Sequence, residues 1–103
     1  MMRRTAQFQT DGAERYMQRL CEHFGRKVET HCQRGKGCVE FGFGRCEMRA
    51  DASALEMIAS SETQDQLDNV IDVITSHLER YAFRENPRLE WLSTPNTAQQ
   101  EEK

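Results

Sequence analysis

The chain has no long apolar run: none of its 103 residues lies in a stretch approaching the roughly 18 that a membrane-spanning helix needs. Mean hydropathy is -0.83, so a buried membrane segment is excluded on composition as well. Basic charge is also scarce. Lys and Arg number 14 against 17 Asp and Glu, for a formal charge of -3, and general binding to nucleic acid, which needs a concentrated basic surface, is not expected. The opening MMRRTAQFQTDGA has two arginines but no apolar core behind them, so no secretory signal is expected and the setting reads as cytoplasmic. Several chemical signatures are missing. The cysteines form no C-x2-4-C zinc knuckle, and the glycines form neither G-x-G-x-x-G nor a P-loop. No cofactor motif and no metal site are therefore expected.

What remains is a lean globular composition. Apolar residues make up 37%, and five Phe, five Met, two Tyr and one Trp can fill one small core. A single domain is expected over residues 1-94. Residues 95-103 (PNTAQQEEK) form a polar tail expected to be disordered.

Two segments have helical period. Ala13, Tyr16, Met17, Leu20, Cys21 and Phe24 make one apolar stripe, so a helix is predicted over about 12-25. Asp11 with Glu14 three positions later reads as a capping box at its start. Leu67, Val70, Ile71, Ile74, Leu78 and Tyr81 predict a second helix from a Thr63/Gln66 capping box to about Phe83, with Pro87 barring continuation. Phe83 lies far around this helix from Ile74, so either the helix ends first or Phe83 packs against Trp91.

The rest alternates. Arg4–Thr10 reads as a first strand, and Leu89–Leu92 as a last one. Between the helices Val28–Gln33, Cys38–Phe41, Arg45–Ala50 and Leu55–Ser60 read as an antiparallel meander, with the glycines at 35, 37, 42 and 44 in hairpin turns. Parity puts Val28, Thr30, Cys32, Val39, Phe41, Cys46, Met48, Leu55, Met57 and Ala59 on one face. Glu29, His31, Gln33, Cys38, Glu40, Glu47, Arg49, Glu56 and Ile58 fall on the other. The expected fold class is α+β, β-α-β-β-β-α-β in outline: an antiparallel sheet with two helices packed on its apolar face.

Parity also sorts the thiols. Cys21, Cys32 and Cys46 are expected in the core, where a thiol is inert, and Cys38 alone is expected to be exposed. The outer face carries four glutamates, at 29, 40, 47 and 56, read as a solvated surface or one open to a partner. At about 100° per residue, His77 lies roughly 70° off the centre of the second apolar stripe, with Arg80 and Arg84 on the same flank. Either His77 bonds backbone while these arginines pair with Glu79, Glu85 or Glu90, or His77, Arg80, Arg84 and Glu85 form a polar site for a carboxylate, phosphate or ferric-chelate anion. A competing expectation is a small thiol- or metal-dependent enzyme using His31 or His77 with Cys38. Exposed sheet edges also admit pairing of two copies into a homodimer.

The run His77-Leu78-Glu79-Arg80-Tyr81-Ala82-Phe83-Arg84-Glu85, with Trp91 soon after, resembles the C-terminal signature of a bacterial family, domain of unknown function 2218. Arg15-Tyr16-Met17 with Leu20-Cys21 and His23-Phe24, and Gly44-Arg45-Cys46-Glu47-Met48, resemble its other marked segments, the likeness spanning roughly residues 5 to 92. The resemblance implies a fold similar to the C-terminal domain of phosphohexomutases and to the TATA-binding-protein-like class. It also implies a functional direction, since such domains occur beside or fused to siderophore-interacting flavin reductases. A non-catalytic accessory module for iron-siderophore handling, working through partner or anion binding, is the expectation that follows.

Overall fold

The computed structural model describes residues 1-93; the polar tail at 95-103 lies outside them. The chain forms β1 (Met2–Gln9), α1 (Ala13–Phe24), β2 (Glu29–Gln33), β3 (Lys36–Glu40), β4 (Arg45–Ala50), β5 (Ala54–Ser61), α2 (Gln64–Tyr81), a 3-10 turn (Phe83–Glu85) and β6 (Leu92–Ser93). This is the α+β architecture expected, with all four alternating segments present as strands. The sheet order is β2-β3-β4-β5-β1-β6, antiparallel throughout. The meander therefore lies in chain order, and the first strand slots in beside β5.

Both helices cover one face. All six residues of the α1 stripe are buried, as are Leu67, Val70, Ile74 and Leu78 of α2. They meet Val39, Cys46, Met48, Leu55, Met57 and Ala59 from the sheet, none of which is more than 1% exposed. Period 3.6 on the helices and period 2 on the strands thus point the same residues at one core. Two glycines set the approach. At Gly44 a Cβ would stand 2.7 Å from both the Ser60 carbonyl oxygen and Val70 Cγ2, so only glycine lets α2 settle this closely on the sheet. Gly37 lies inside β3 and not in a turn; its bare backbone leaves room for the Cys21 and Met17 side chains of α1. Gly35 and Gly42, with φ of +80° and +93°, are the turn glycines.

Helix starts differ in how they are capped. Thr63 Oγ1 accepts from the Gln66 N–H at 3.2 Å, the expected cap of α2. The expected Asp11 cap of α1 does not form. Gly12 occupies the N-cap position, its N–H donating to Thr10 Oγ1, and Glu14 reaches across to accept from the Gly35 N–H at 3.0 Å. A tertiary acceptor role for Glu14 has won over the local box. α2 ends at Tyr81, short of Phe83, which is 67% exposed and does not staple the helix. Trp91 instead donates its indole N–H to Thr75 Oγ1 at 3.0 Å.

β2 requires the largest correction. Parity holds, because Thr30 and Cys32 pair with Val39 and Gly37 on the helix side. No residue of β2 is buried, however, and Cys32 is exposed. β2 is the sheet edge, and α1 touches it without burying it. Cys38, expected to be the exposed thiol, is only partly so.

Candidate functional site

α1 and α2 run antiparallel, and their seam is stacked in three layers. Tyr16 donates its phenolic O–H to the Glu85 carboxylate. One turn on, the Arg19 guanidinium lies 4.3 Å from the centre of the Tyr81 ring. A further turn on, the His23 and His77 rings sit 4.5 Å apart at 45°. The spacing follows from helix geometry: 16, 19 and 23 recur every three or four residues on α1, and 77 and 81 lie four apart on α2, with Glu85 brought into line by the 3-10 turn that follows.

The histidine layer is the richest in chemistry. His77 Nδ1 lies 2.7 Å from the Val73 carbonyl oxygen one turn back. That contact requires the proton on Nδ1 and leaves Nε2 as the acceptor nitrogen of the neutral ring. Phe24 packs 4.9 Å from His77 and 5.2 Å from Phe41, which stacks on Phe43. The pair thus rests on an aromatic wall at one side and meets solvent at the other. Loss of hydration, then the charges of His77, Arg26, Lys27 and Arg80, hold His23 below the usual imidazole range. The field at this seam is therefore positive, on a chain whose net charge is negative.

The four residues read from the sequence as one polar site fall into three places. His77 stands in the histidine layer, and Arg80 acts electrostatically on His23 across from it. Arg84 turns back over the Phe83 ring at 5.8 Å. Glu85 belongs to the first layer, where bonds from Tyr16 and Thr10 hold its carboxyl below the usual range and raise Tyr16 in turn. The sequence reading did not single out His23, Arg19 and Tyr81 as site residues. The available signal was a pair of i, i+4 spacings, Arg19/His23 and His77/Tyr81, each at the edge of an apolar stripe.

His31 and Cys38 stand directly opposite in the β2/β3 register. Their polar contacts lead elsewhere. His31 Nε2 meets Glu29 at 3.1 Å, while Arg45 donates to Cys38 Sγ at 3.3 Å and pairs with Glu40 at 3.1 Å and Glu47 at 3.6 Å. Arg45 thus offsets part of the negative charge of the outer-face glutamates at 40 and 47. Among the described residues no cluster of three or more His, Cys, Asp or Glu side chains is arranged to hold a metal ion, and no helix is long and apolar enough to cross a membrane.

The chain is thus a two-helix, one-sheet α+β domain with an aromatic seam between its helices. The chain belongs to the bacterial family described as "Uncharacterized protein conserved in bacteria (DUF2218)", whose sequence profile matches residues 5–92. It is similar to PA4090 from Pseudomonas aeruginosa, solved by NMR, at 35% identity and a TM-score of 0.78, over 92% of this chain and 97% of that one. No curated protein matches the chain.

Proposed function

We propose that this domain is a non-catalytic binding module that captures an anion at the α1/α2 seam. The observation that supports this most is the His23–His77 pair at 4.5 Å, where loss of hydration, and after it the charges of His77, Arg26, Lys27 and Arg80, hold His23 below the usual imidazole range. An anion seated there would offset that field and supply acceptors for imidazolium and guanidinium donors, the pairing that makes strong charge-assisted hydrogen bonds. Arg19 over Tyr81 adds a second guanidinium one turn along. Carboxylates, phosphates and ferric chelates with anionic oxygen donors share this chemistry. The setting that the resemblance implies, beside siderophore-interacting flavin reductases, would favour the ferric chelate, with such a reductase as the partner that handles the same ligand.

Citrate, phosphate and ferric citrate, titrated against the protein while the histidine ring resonances are followed by NMR, test this. The apo protein and the two iron-free anions are read directly, the ferric probe by competition. Saturable shifts of His23 and His77, with an upward move of the His23 pKa, are expected. Arg80→Ala should weaken binding roughly tenfold, the worth of one charge-assisted contact. Ring resonances unmoved by all three probes at millimolar concentration would remove the anion reading.

A further inference from the structure

Away from the helix seam, at the other flank of α1, two thiols share a groove of about 570 Å³ lined by Glu14, Gln18, Cys21, Glu22, Cys32 and Arg34 among others. Cys32 of β2 is exposed and Cys21 of α1 is 4% exposed. Their proximity follows from the register. Cys32 stands opposite Gly37 on the helix-facing side of the sheet, where side-chain positions on paired strands are about 4.5–5.5 Å apart. Gly37 has no side chain, and Cys21 Sγ occupies the vacated space, 3.1 Å from where a Cβ would be. The Cys21 sulfur therefore takes the place of Gly37's missing side chain, next to that of Cys32. Disulfide geometry needs Cβ atoms near 3.8 Å. A small shift of an uncovered edge strand meets that need far more easily than a shift of a buried one.

We propose that Cys21 and Cys32 form a redox-active pair, which a peroxide closes into a disulfide that staples α1 to the sheet edge. Cys32 reacts first because it is the thiol in solvent. Its sulfur attacks the peroxide O–O bond, giving Cys32–SOH and one water from hydrogen peroxide. The Cys21 sulfur then attacks the sulfenic sulfur, forming the S–S bond and releasing the hydroxyl oxygen as a second water. Two thiols lose two electrons and the peroxide accepts them. Burial pushes the Cys21 thiol up to about 12, with the Cys32 thiol acting in the same direction. Cys21 thus stays protonated and is protected from direct oxidation until Cys32 has reacted. Cys38 points to the other face of the sheet and Cys46 is fully buried, so neither is placed as Cys32 is to close the bond with Cys21.

The fully reduced chain, treated with a small excess of hydrogen peroxide, alkylated after denaturation and cut with trypsin, reads this out. Residues 20-26 and 28-34 leave as separate tryptic peptides, each with one cysteine. The expected product joins them, about 2 Da lighter than the sum of the two reduced peptides, with Cys38 and Cys46 still alkylated. Cys32→Ser, an exposed change that spares the core, should leave Cys21 as a free thiol under the same treatment. Cys21→Ser should let dimedone trap Cys32 as its sulfenic acid, a product that the wild-type chain loses to disulfide formation. Cys32 driven to sulfinic or sulfonic acid with Cys21 still free would overturn the proposal. So would Cys32 joined to Cys38 or to a second copy, or oxidation of Cys21 in the Cys32→Ser chain.

Discussion

Gly44→Ala tests the packing that brings the two histidines together. The added methyl would stand 2.7 Å from Val70 Cγ2 and 2.7 Å from the Ser60 carbonyl oxygen, and 3.2 Å from Ser61 Cβ. Comfortable carbon contacts begin near 3.5 Å, so two of the three overlap by almost 1 Å. Val70 has a stiff β-branched side chain on a helix, and the Ser60 oxygen is sheet backbone, so neither can simply rotate away. Overpacking a core by one methyl costs about 1–3 kcal/mol. Against this, alanine restricts the unfolded chain and returns about 0.4–1 kcal/mol. The net is a loss of about 1–2 kcal/mol, which in a domain of this size lowers Tm by roughly 5–15 °C. Differential scanning calorimetry measures it directly. Because the clash is relieved by lifting α2 from the sheet, His77 should move relative to His23, and the His23 NMR titration should shift toward the ordinary imidazole value. Gly42→Ala is the matched control. No atom lies within 4 Å of its Cβ position, but its φ of +93° strains any L side chain, so it should lose stability without moving the His23 titration. A Gly44→Ala protein that melts at or above the wild-type temperature would refute the packing argument.

Other outcomes follow from single contacts. Thr63→Ala removes the side-chain cap of α2 and should cost about 1 kcal/mol by urea unfolding; Thr63→Ser should restore most of it. Tyr16→Phe removes the bond to Glu85 and should cost about 1 kcal/mol, the full value for a charged acceptor being reduced by the exposure of Glu85. It should also flatten the acid limb of stability, because a carboxyl held low in the folded state stabilises above its unfolded value and loses that contribution as pH falls through its folded one. His23 has the same sign at milder pH. Its folded value lies below the unfolded one near 6.5, so the unfolded chain takes up the proton first and stability declines as pH falls below about 6.5. His23→Gln should remove that slope in denaturant midpoints measured between pH 7 and pH 5.

How much of this was legible beforehand depended on whether the information was local. The α1 stripe was complete in the sequence, residue for residue, because a helix facing a sheet buries one angular sector and nothing else. The faces of β3, β4 and β5 followed from parity for the same reason. Cys32 shows where that reasoning stops: alternation tells which side of a sheet a residue faces, but whether that side is covered depends on how far a helix reaches laterally. The α1 cap failed similarly, since Glu14 was drawn to the Gly35 N–H of a hairpin 21 residues away, a competitor no local motif reveals. The candidate site was half visible. His77 and Arg80 were found from one helix, while His23 and Arg19 needed the crossing of two. Glu85, grouped with His77 by sequence proximity, proved to lie two layers away along the seam.

The position of β1 has a consequence for the order of assembly. Residues 2 to 9 pair with β5, which follows them only at the end of the meander, Met2 opposite Ser61 and Gln9 opposite Ala54, and in turn support β6. The hairpins from β2 to β5 close through short loops and can form as soon as they leave the ribosome. β1 cannot join until β5 exists, so its docking closes a far longer loop than any hairpin of the meander and bears a correspondingly greater chain-entropy cost. Until then the open edge of β5, with Leu55 and Met57 beside it, is available to any extended strand. β1 therefore takes its place only after the meander is complete, and its arrival covers the edge of β5 against mispairing.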